Sequence, residues 1–119
     1  MKNLFDISGK VALITGGSRG IGEMIAAGFL ANGAKVYISS RKAQACDATA
    51  ARLSETYGGT CISLPANLSN VEGCTQLAGE IAGRESQLDI LINNAGVSWG
   101  APLDDFPAVS YTHLTLPTN

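Results

Sequence analysis

The sequence predicts an α/β fold, a doubly wound parallel sheet, and three observations carry that expectation. Short apolar runs alternate with helical patterns, the loops between them are a few residues long, and a glycine-rich turn joins the first run to the first helix. A strand covered by helices on both sides reads as a continuous apolar run, and the first strand here does so.

Val11-Ala12-Leu13-Ile14 is that run, ended by Thr15-Gly16-Gly17. A helical pattern follows, with Ile21, Ile25 and Phe29 at every fourth residue and Met24 and Gly28 beside them. Asn32-Gly33 stops it, because glycine takes the left-handed conformation at a helix end without steric cost. Lys35-Val36-Tyr37-Ile38-Ser39 reads as the second strand. The alanine-rich stretch from Lys42 to Tyr57 reads as a second helix, closed by Gly58-Gly59. Cys61-Ile62-Ser63-Leu64 is the third strand, stopped by Pro65. Ser69 and Glu72 have capping-box spacing, and Val71, Cys74, Leu77, Ala78 and Ile81 supply the apolar stripe of a third helix. Leu88-Asp89-Ile90-Leu91-Ile92 is the fourth strand, running into Asn93-Asn94-Ala95-Gly96. The order β-α-β-α-β-α-β, joined by right-handed crossovers, puts helices on both faces of one parallel sheet. No repeat or linker interrupts it.

Composition narrows the function. The 119 residues fit one small domain, and 45% hydrophobic with 15% charged content suits a folded α/β protein. A net charge of −2 without a basic stripe argues against nucleic acid as a partner. Cys46, Cys61 and Cys74 are odd in number and lack C-x-x-C spacing. They read as buried thiols of a reducing cytosol, not as a disulfide frame or a metal site. No signal-peptide core is visible, and no apolar run approaches the ~18–20 residues of a membrane helix. The expectation is a cytoplasmic protein with no membrane contact.

Between strand one and helix one, Gly16, Gly20 and Gly22 form a T-G-x-x-x-G-x-G frame with Ser18, Arg19 and Ile21. Glycines after a strand are often no more than a turn. Here they lie between a buried strand and an amphipathic helix inside a βαβ unit, the context that a Rossmann-type phosphate site needs. One glycine permits the tight turn, one lets a pyrophosphate reach the backbone, and one lets the helix pack on the strand. Free N–H groups at the helix start then face the phosphates.

At these residues the chain resembles the short-chain dehydrogenase/reductase family, in its shorter branch. The extended branch, T-G-x-x-G-x-x-G, would require glycine where Arg19 stands. A second family signature, N-N-A-G, stands as Asn93-Asn94-Ala95-Gly96 after strand four. The resemblance covers residues 1 to 108 and implies the N-terminal half of a Rossmann-type sheet, in the order 3-2-1-4. A finer resemblance is to bacterial 3-oxoacyl-carrier-protein reductases of the rhamnolipid-biosynthesis type. It rests on Gly-Gly-Ser-Arg-Gly-Ile-Gly at 16–22, Ala45-Cys46, and Ser98-Trp99-Gly100 after the second signature.

The cofactor is expected to be NADP(H) in preference to NAD(H). An NAD protein of this fold places Asp or Glu after strand two, for the ribose 2′-hydroxyl. This strand ends Ser39-Ser40-Arg41-Lys42. A guanidinium at Arg41 would pair with a 2′-phosphate, and Arg19 can approach it from the other side. In the competing reading Arg41 and Lys42 only solvate the start of helix two. The resemblance also implies an adenine contact at Asn67-Leu68, where relatives usually carry Asp. It further implies a ribose-side lining by Asn94, Ala95 and Gly96.

The family's chemistry rests on Ser, Tyr and Lys, the last two spaced Y-x-x-x-K. Four residues after Tyr37, Tyr57 and Tyr111 stand Arg41, Cys61 and Thr115, so no such pair exists and no catalytic residue is assigned. Residues 109–119, from Val109 to Asn119, resemble the translation of a transposon-type sequencing adapter and are set aside as a non-native tail. His113 and Tyr111 are accordingly not a catalytic pair, and Asp104 and Asp105 read as the cap of a fourth helix.

The leading expectation is the cofactor-binding part of an NADP(H)-dependent oxidoreductase. Its parent would act on a small carbonyl or 3-oxoacyl substrate and would be a homo-oligomer. The chain itself would be inactive, and prone to aggregate along the apolar edge Ile90-Leu91-Ile92. The alternative is a non-enzymatic dinucleotide-binding module. A protein of this fold binding FAD or a methyl donor fits poorly, since neither signature is expected there.

Overall fold

The computed structural model describes residues 6–16, 18 and 20–94. The expectations for Arg19, Ala95, Gly96, the Asp104-Asp105 cap and the 109–119 tail lie outside the described residues. The described elements run β1 (Val11–Thr15), α1 (Gly20–Ala31), β2 (Lys35–Ser39), α2 (Ala43–Tyr57), β3 (Cys61–Ser63), α3 (Val71–Arg84) and β4 (Ile90–Asn93). All strand pairs are parallel and the sheet order is β3-β2-β1-β4, the order expected.

The side-chain alternation of the strands divides the core into two layers. Ile14, Val36, Ile38 and Cys61 face α1 and α2, where they meet Ala26, Leu30, Cys46, Ala50 and Leu53. Leu13 and Tyr37 face the other way, onto Cys74, Leu77 and Ile81 of α3. The two central strands β1 and β2 are thus sandwiched, while β3 is fully buried only at Cys61 and β4 is half-buried; among the described residues β1 alone pairs with β4. The three cysteines are buried, and none is in a disulfide.

At two helices the structure corrects the sequence pattern. The stripe Ile21-Ile25-Phe29 that marks α1 as a helix is not its buried face, whose positions are Gly22, Ala26 and Leu30. Ile25 and Phe29 are half-buried beside them, while Ile21 is 68% and Met24 73% exposed. The physical reason is distance. Small residues let the start of α1 lie close to the sheet, so Gly22 and Ala26 turn inward and Ile25 and Phe29 to the flanks, while Leu30 is buried further along the helix. The cap of α3 is also not Ser69. Asn70 is the N-cap, and its side chain accepts from the Gly73 N–H at 2.7 Å. The Ser69 hydroxyl instead donates to Asn67 Oδ1 at 2.5 Å. Val71, expected in the apolar stripe, lies exposed on this first turn. The third strand stops at Ser63, and the fourth begins at Ile90 and includes Asn93.

The amino-terminal end of the sheet is held by charge. Asp89 accepts from the Val11 N–H at 2.8 Å, and this backbone bond holds its carboxyl below the usual range. Lys35 pairs with Glu85 at 2.5 Å, and the buried Tyr37 hydroxyl donates to the same Glu85 oxygen. That fastens the end of α3 to β2. Burial pushes the Glu85 carboxyl up, but the bonds from Lys35 and Tyr37 together outweigh it and leave it below its ordinary value.

Candidate functional site

The opposite, carboxyl end of the sheet carries the candidate site, where the register sets Ser39, Thr15 and Asn93 in one row across β2, β1 and β4. The buried Thr15 hydroxyl donates to Asn93 Oδ1 at 2.8 Å and accepts from the Asn94 N–H at 3.0 Å. One hydroxyl therefore ties the start of the glycine turn to the start of the second sequence signature, 79 residues away. The Gly16 N–H donates to the Ser39 carbonyl at 2.7 Å, so the turn is also bound to β2.

Within the turn the glycines do different things. Gly16 and Gly20 have φ of 71° and 63°, in the left-handed region that other residues avoid. A Cβ at Gly20 would meet nothing within 4 Å among the described residues, so this side of the turn is open. Gly22 is the close-approach position: a Cβ there would collide with the Gly16 carbonyl oxygen and lie 2.9 Å from Asn94 Nδ2. The first turn of α1 therefore rests on the end of β1. The first four N–H groups of a helix lack intrahelical partners, and for α1 these belong to Gly20, Ile21, Gly22 and Glu23. Ile21 projects into solvent beside them.

After β2, Ser40 is half-buried, and its hydroxyl lies 3.5 Å from the Lys42 carbonyl oxygen. Arg41 is exposed and has no hydrogen bond or ion pair among the described residues. A positive group thus stands free where an NAD protein would place an acid. Beyond β3, Asn67 Oδ1 already accepts from the Ser69 N–H at 3.1 Å and from its hydroxyl, so this oxygen helps to shape its own loop. Leu68 is buried in the core layer under α3.

Sequence reasoning missed three polar residues of this end. The T-G-x-x-x-G-x-G motif gives the Thr15 hydroxyl no role. Ser39 was read as plain strand, yet its hydroxyl is buried and lacks a hydrogen-bond partner among the described residues. Thr49, inside α2, donates to the Ser18 carbonyl at 2.8 Å, and no local pattern pairs residues 31 apart.

The arrangement suits a phosphate-bearing nucleotide. Among the described residues it offers free N–H groups at a helix start, an open side at Gly20, a backbone approach that tolerates no Cβ at Gly22, an orphan hydroxyl at Ser39 and a free guanidinium at Arg41. No group of three or more His, Cys, Asp or Glu among the described residues could hold a metal ion. None of the described helices is long and apolar enough to cross a membrane.

Comparison with known proteins agrees with this geometry. The short chain dehydrogenase family matches residues 10–116. The chain is 50% identical over 107 residues to a rhamnolipids biosynthesis 3-oxoacyl-[acyl-carrier-protein] reductase of Pseudomonas aeruginosa, covering 90% of this chain and 41% of that protein. It is 34% identical to an 11-beta-hydroxysteroid dehydrogenase-like protein of Arabidopsis thaliana, of which it covers 37%. Among solved structures, the RhlG/NADP active-site complex of P. aeruginosa superposes with a TM-score of 0.76 at 44% identity, over 92% of this chain and 45% of that one. L-sorbose reductase of Gluconobacter frateurii, complexed with NADPH and L-sorbose, gives 0.74 at 30% identity, over 92% and 44%. The chain spans about two fifths of the length of these curated relatives.

Proposed function

Because the chain belongs to the short-chain dehydrogenase family, whose members are oxidoreductases, we propose that it is the dinucleotide-binding part of an NADP(H)-dependent reductase of carbonyl, 3-oxoacyl-type substrates. The observation that carries the cofactor choice is the end of β2: Arg41, unpaired among the described residues, beside Ser40, with no carboxylate before α2. The relatives solved with NADP and NADPH support the same choice.

In this reading the open N–H groups from Gly20 to Glu23 face the pyrophosphate, while Ser40 and Arg41 hold the 2′-phosphate. Arg19, Ala95 and Gly96 complete the site. The Asn67 oxygen, whose two lone pairs take the N–H and the hydroxyl of Ser69, would accept from the adenine amino group by releasing the Ser69 hydroxyl. The cofactor, when bound, supplies a hydride, and this chain's residues bind and orient it. With no Tyr-x-x-x-Lys pair in the sequence, the substrate's proton has no donor here.

Titration of NADPH and NADH by fluorescence tests the reading. The unaltered chain should prefer NADPH, and the same sample given a 3-oxoacyl thioester should consume none. Arg41→Asp should cut the NADPH/NADH affinity ratio at least tenfold, as expected when an ion pair becomes a like-charge contact. An unchanged ratio would sink the role given to Arg41.

A further inference from the structure

We propose that Thr49 is a positioning residue for the phosphate-binding turn, through its hydrogen bond to the Ser18 carbonyl. The proposal rests on the dinucleotide reading above and extends it to a residue on a different helix. Thr49 lies in α2, on the face formed by Cys46, Ala50 and Leu53, and is 3% exposed. A hydroxyl taken into an apolar layer must find a partner or lose its hydration without return. Threonine inside a helix commonly satisfies itself by donating to a carbonyl of the preceding turn. Thr49 instead directs its single hydroxyl proton out of α2 to Ser18, at 2.8 Å. Valine would have the same shape and would fill the space as well, so the distinctive contribution of threonine is this bond.

The bond falls in the middle of the glycine-rich turn, where the left-handed residues Gly16 and Gly20 make the backbone permissive on either side. Three residues further along α2, Arg52 pairs with Glu23 in the first turn of α1 at 2.7 Å. Helix α2 thus fixes the turn at Ser18 and the following helix at Glu23, while the opposite end of the turn is held by Gly16 on Ser39. The turn is pre-shaped before any phosphate arrives, and pre-shaping lowers the ordering cost of binding. Because NADP(H) and NAD(H) share the pyrophosphate, Thr49 acts on both alike, unlike Arg41.

The test compares Thr49→Val and Thr49→Ser with the unaltered 119-residue chain, reading NADPH and NADH affinity together with the thermal midpoint. Thr49→Val is expected to weaken both affinities about tenfold, with their ratio unchanged and the midpoint within a few degrees of the parent. Thr49→Ser, which keeps the hydroxyl, is expected to bind within about twofold of the parent. Several outcomes overturn the proposal: Thr49→Val binding like the parent, Thr49→Ser losing as much as Thr49→Val, or a loss confined to NADPH. If Thr49→Val lacks a cooperative thermal transition, Thr49→Ala takes its place with the same readouts, and failure of both to fold also overturns it. A parent chain that binds neither dinucleotide fails differently, since it removes the cofactor reading itself and the proposal with it.

Discussion

At the scale of single residues, the site is held by atoms whose absence matters as much as their presence. Gly22 shows this most directly. A methyl group there would overlap the Gly16 carbonyl oxygen, a backbone atom that cannot rotate away. Gly22→Ala must therefore push α1 off the end of β1, with a cost of about 1–3 kcal/mol, as for other overpacked positions. Dinucleotide binding should be lost with it. Gly28 lies on the same helix, where a Cβ would meet nothing within 4 Å among the described residues. There Gly28→Ala should hold or raise stability by up to about 1 kcal/mol, the helix-propensity difference. Urea denaturation of the two variants decides between a general intolerance of α1 to alanine and the specific contact of Gly22 with the Gly16 carbonyl. The spacing of the three glycines was legible in the sequence, and so was a division of labour among them. Which glycine did which job was not, because that depends on how closely α1 approaches Gly16. The Thr15 and Thr49 bonds were invisible for a related reason: each joins residues distant in sequence.

At the scale of elements, the strand and helix order followed directly from apolar runs punctuated by glycine, and the structure departs from it mainly at ends and faces. The start of α3 is instructive. Ser69-x-x-Glu72 and Asn70-x-x-Gly73 are overlapping signals, since serine and asparagine are both favoured caps. The choice is made by the loop before them, where Asn67 Oδ1 takes up both the N–H and the hydroxyl of Ser69. That loop also presses on the helix, because a Cβ at Gly73 would collide with the Asn67 carbonyl oxygen. Asn70→Ala is therefore expected to cost about 1 kcal/mol of unfolding free energy, the usual worth of an N-cap. Ser69→Ala should leave the Asn70 cap intact and cost less. Equal losses, or a larger loss for Ser69→Ala, would restore the capping box. The buried face of α1 was not legible for another reason. A periodic apolar stripe identifies a helix, but whether the large or the small residues face the sheet depends on the separation of the two layers, which periodicity does not encode.

At the scale of the whole molecule, the two ends of the sheet do different work: the carboxyl end carries the proposed cofactor site, and the amino end is closed by charge. The closed end makes stability depend on pH with a definite sign. Glu85 and Asp89 both have carboxyls held below their ordinary values, 4.5 and 3.8. A depressed acid stabilises the fold above its ordinary value, and that contribution is lost as pH falls through the lowered one. Lys35 is raised from 10.5, chiefly by its bond to Glu85, and Tyr37 is raised from 10.0, by burial and then by Glu85. Their contributions hold below those ordinary values and fade as pH rises through the raised ones. Thermal midpoints should therefore fall on an acid limb beginning below about pH 4.5 and on an alkaline limb beginning above about pH 10. Glu85 is the shared partner of Lys35 and Tyr37, so Glu85→Gln should lower the plateau and shorten both limbs. Asp89 faces the Val11 N–H and Gln87 instead, so Asp89→Asn should shorten the acid limb alone. An alkaline limb unchanged in Glu85→Gln would mean that Lys35 and Tyr37 are held by something other than Glu85. The end of α3 would then not be fastened to β2 by this cluster.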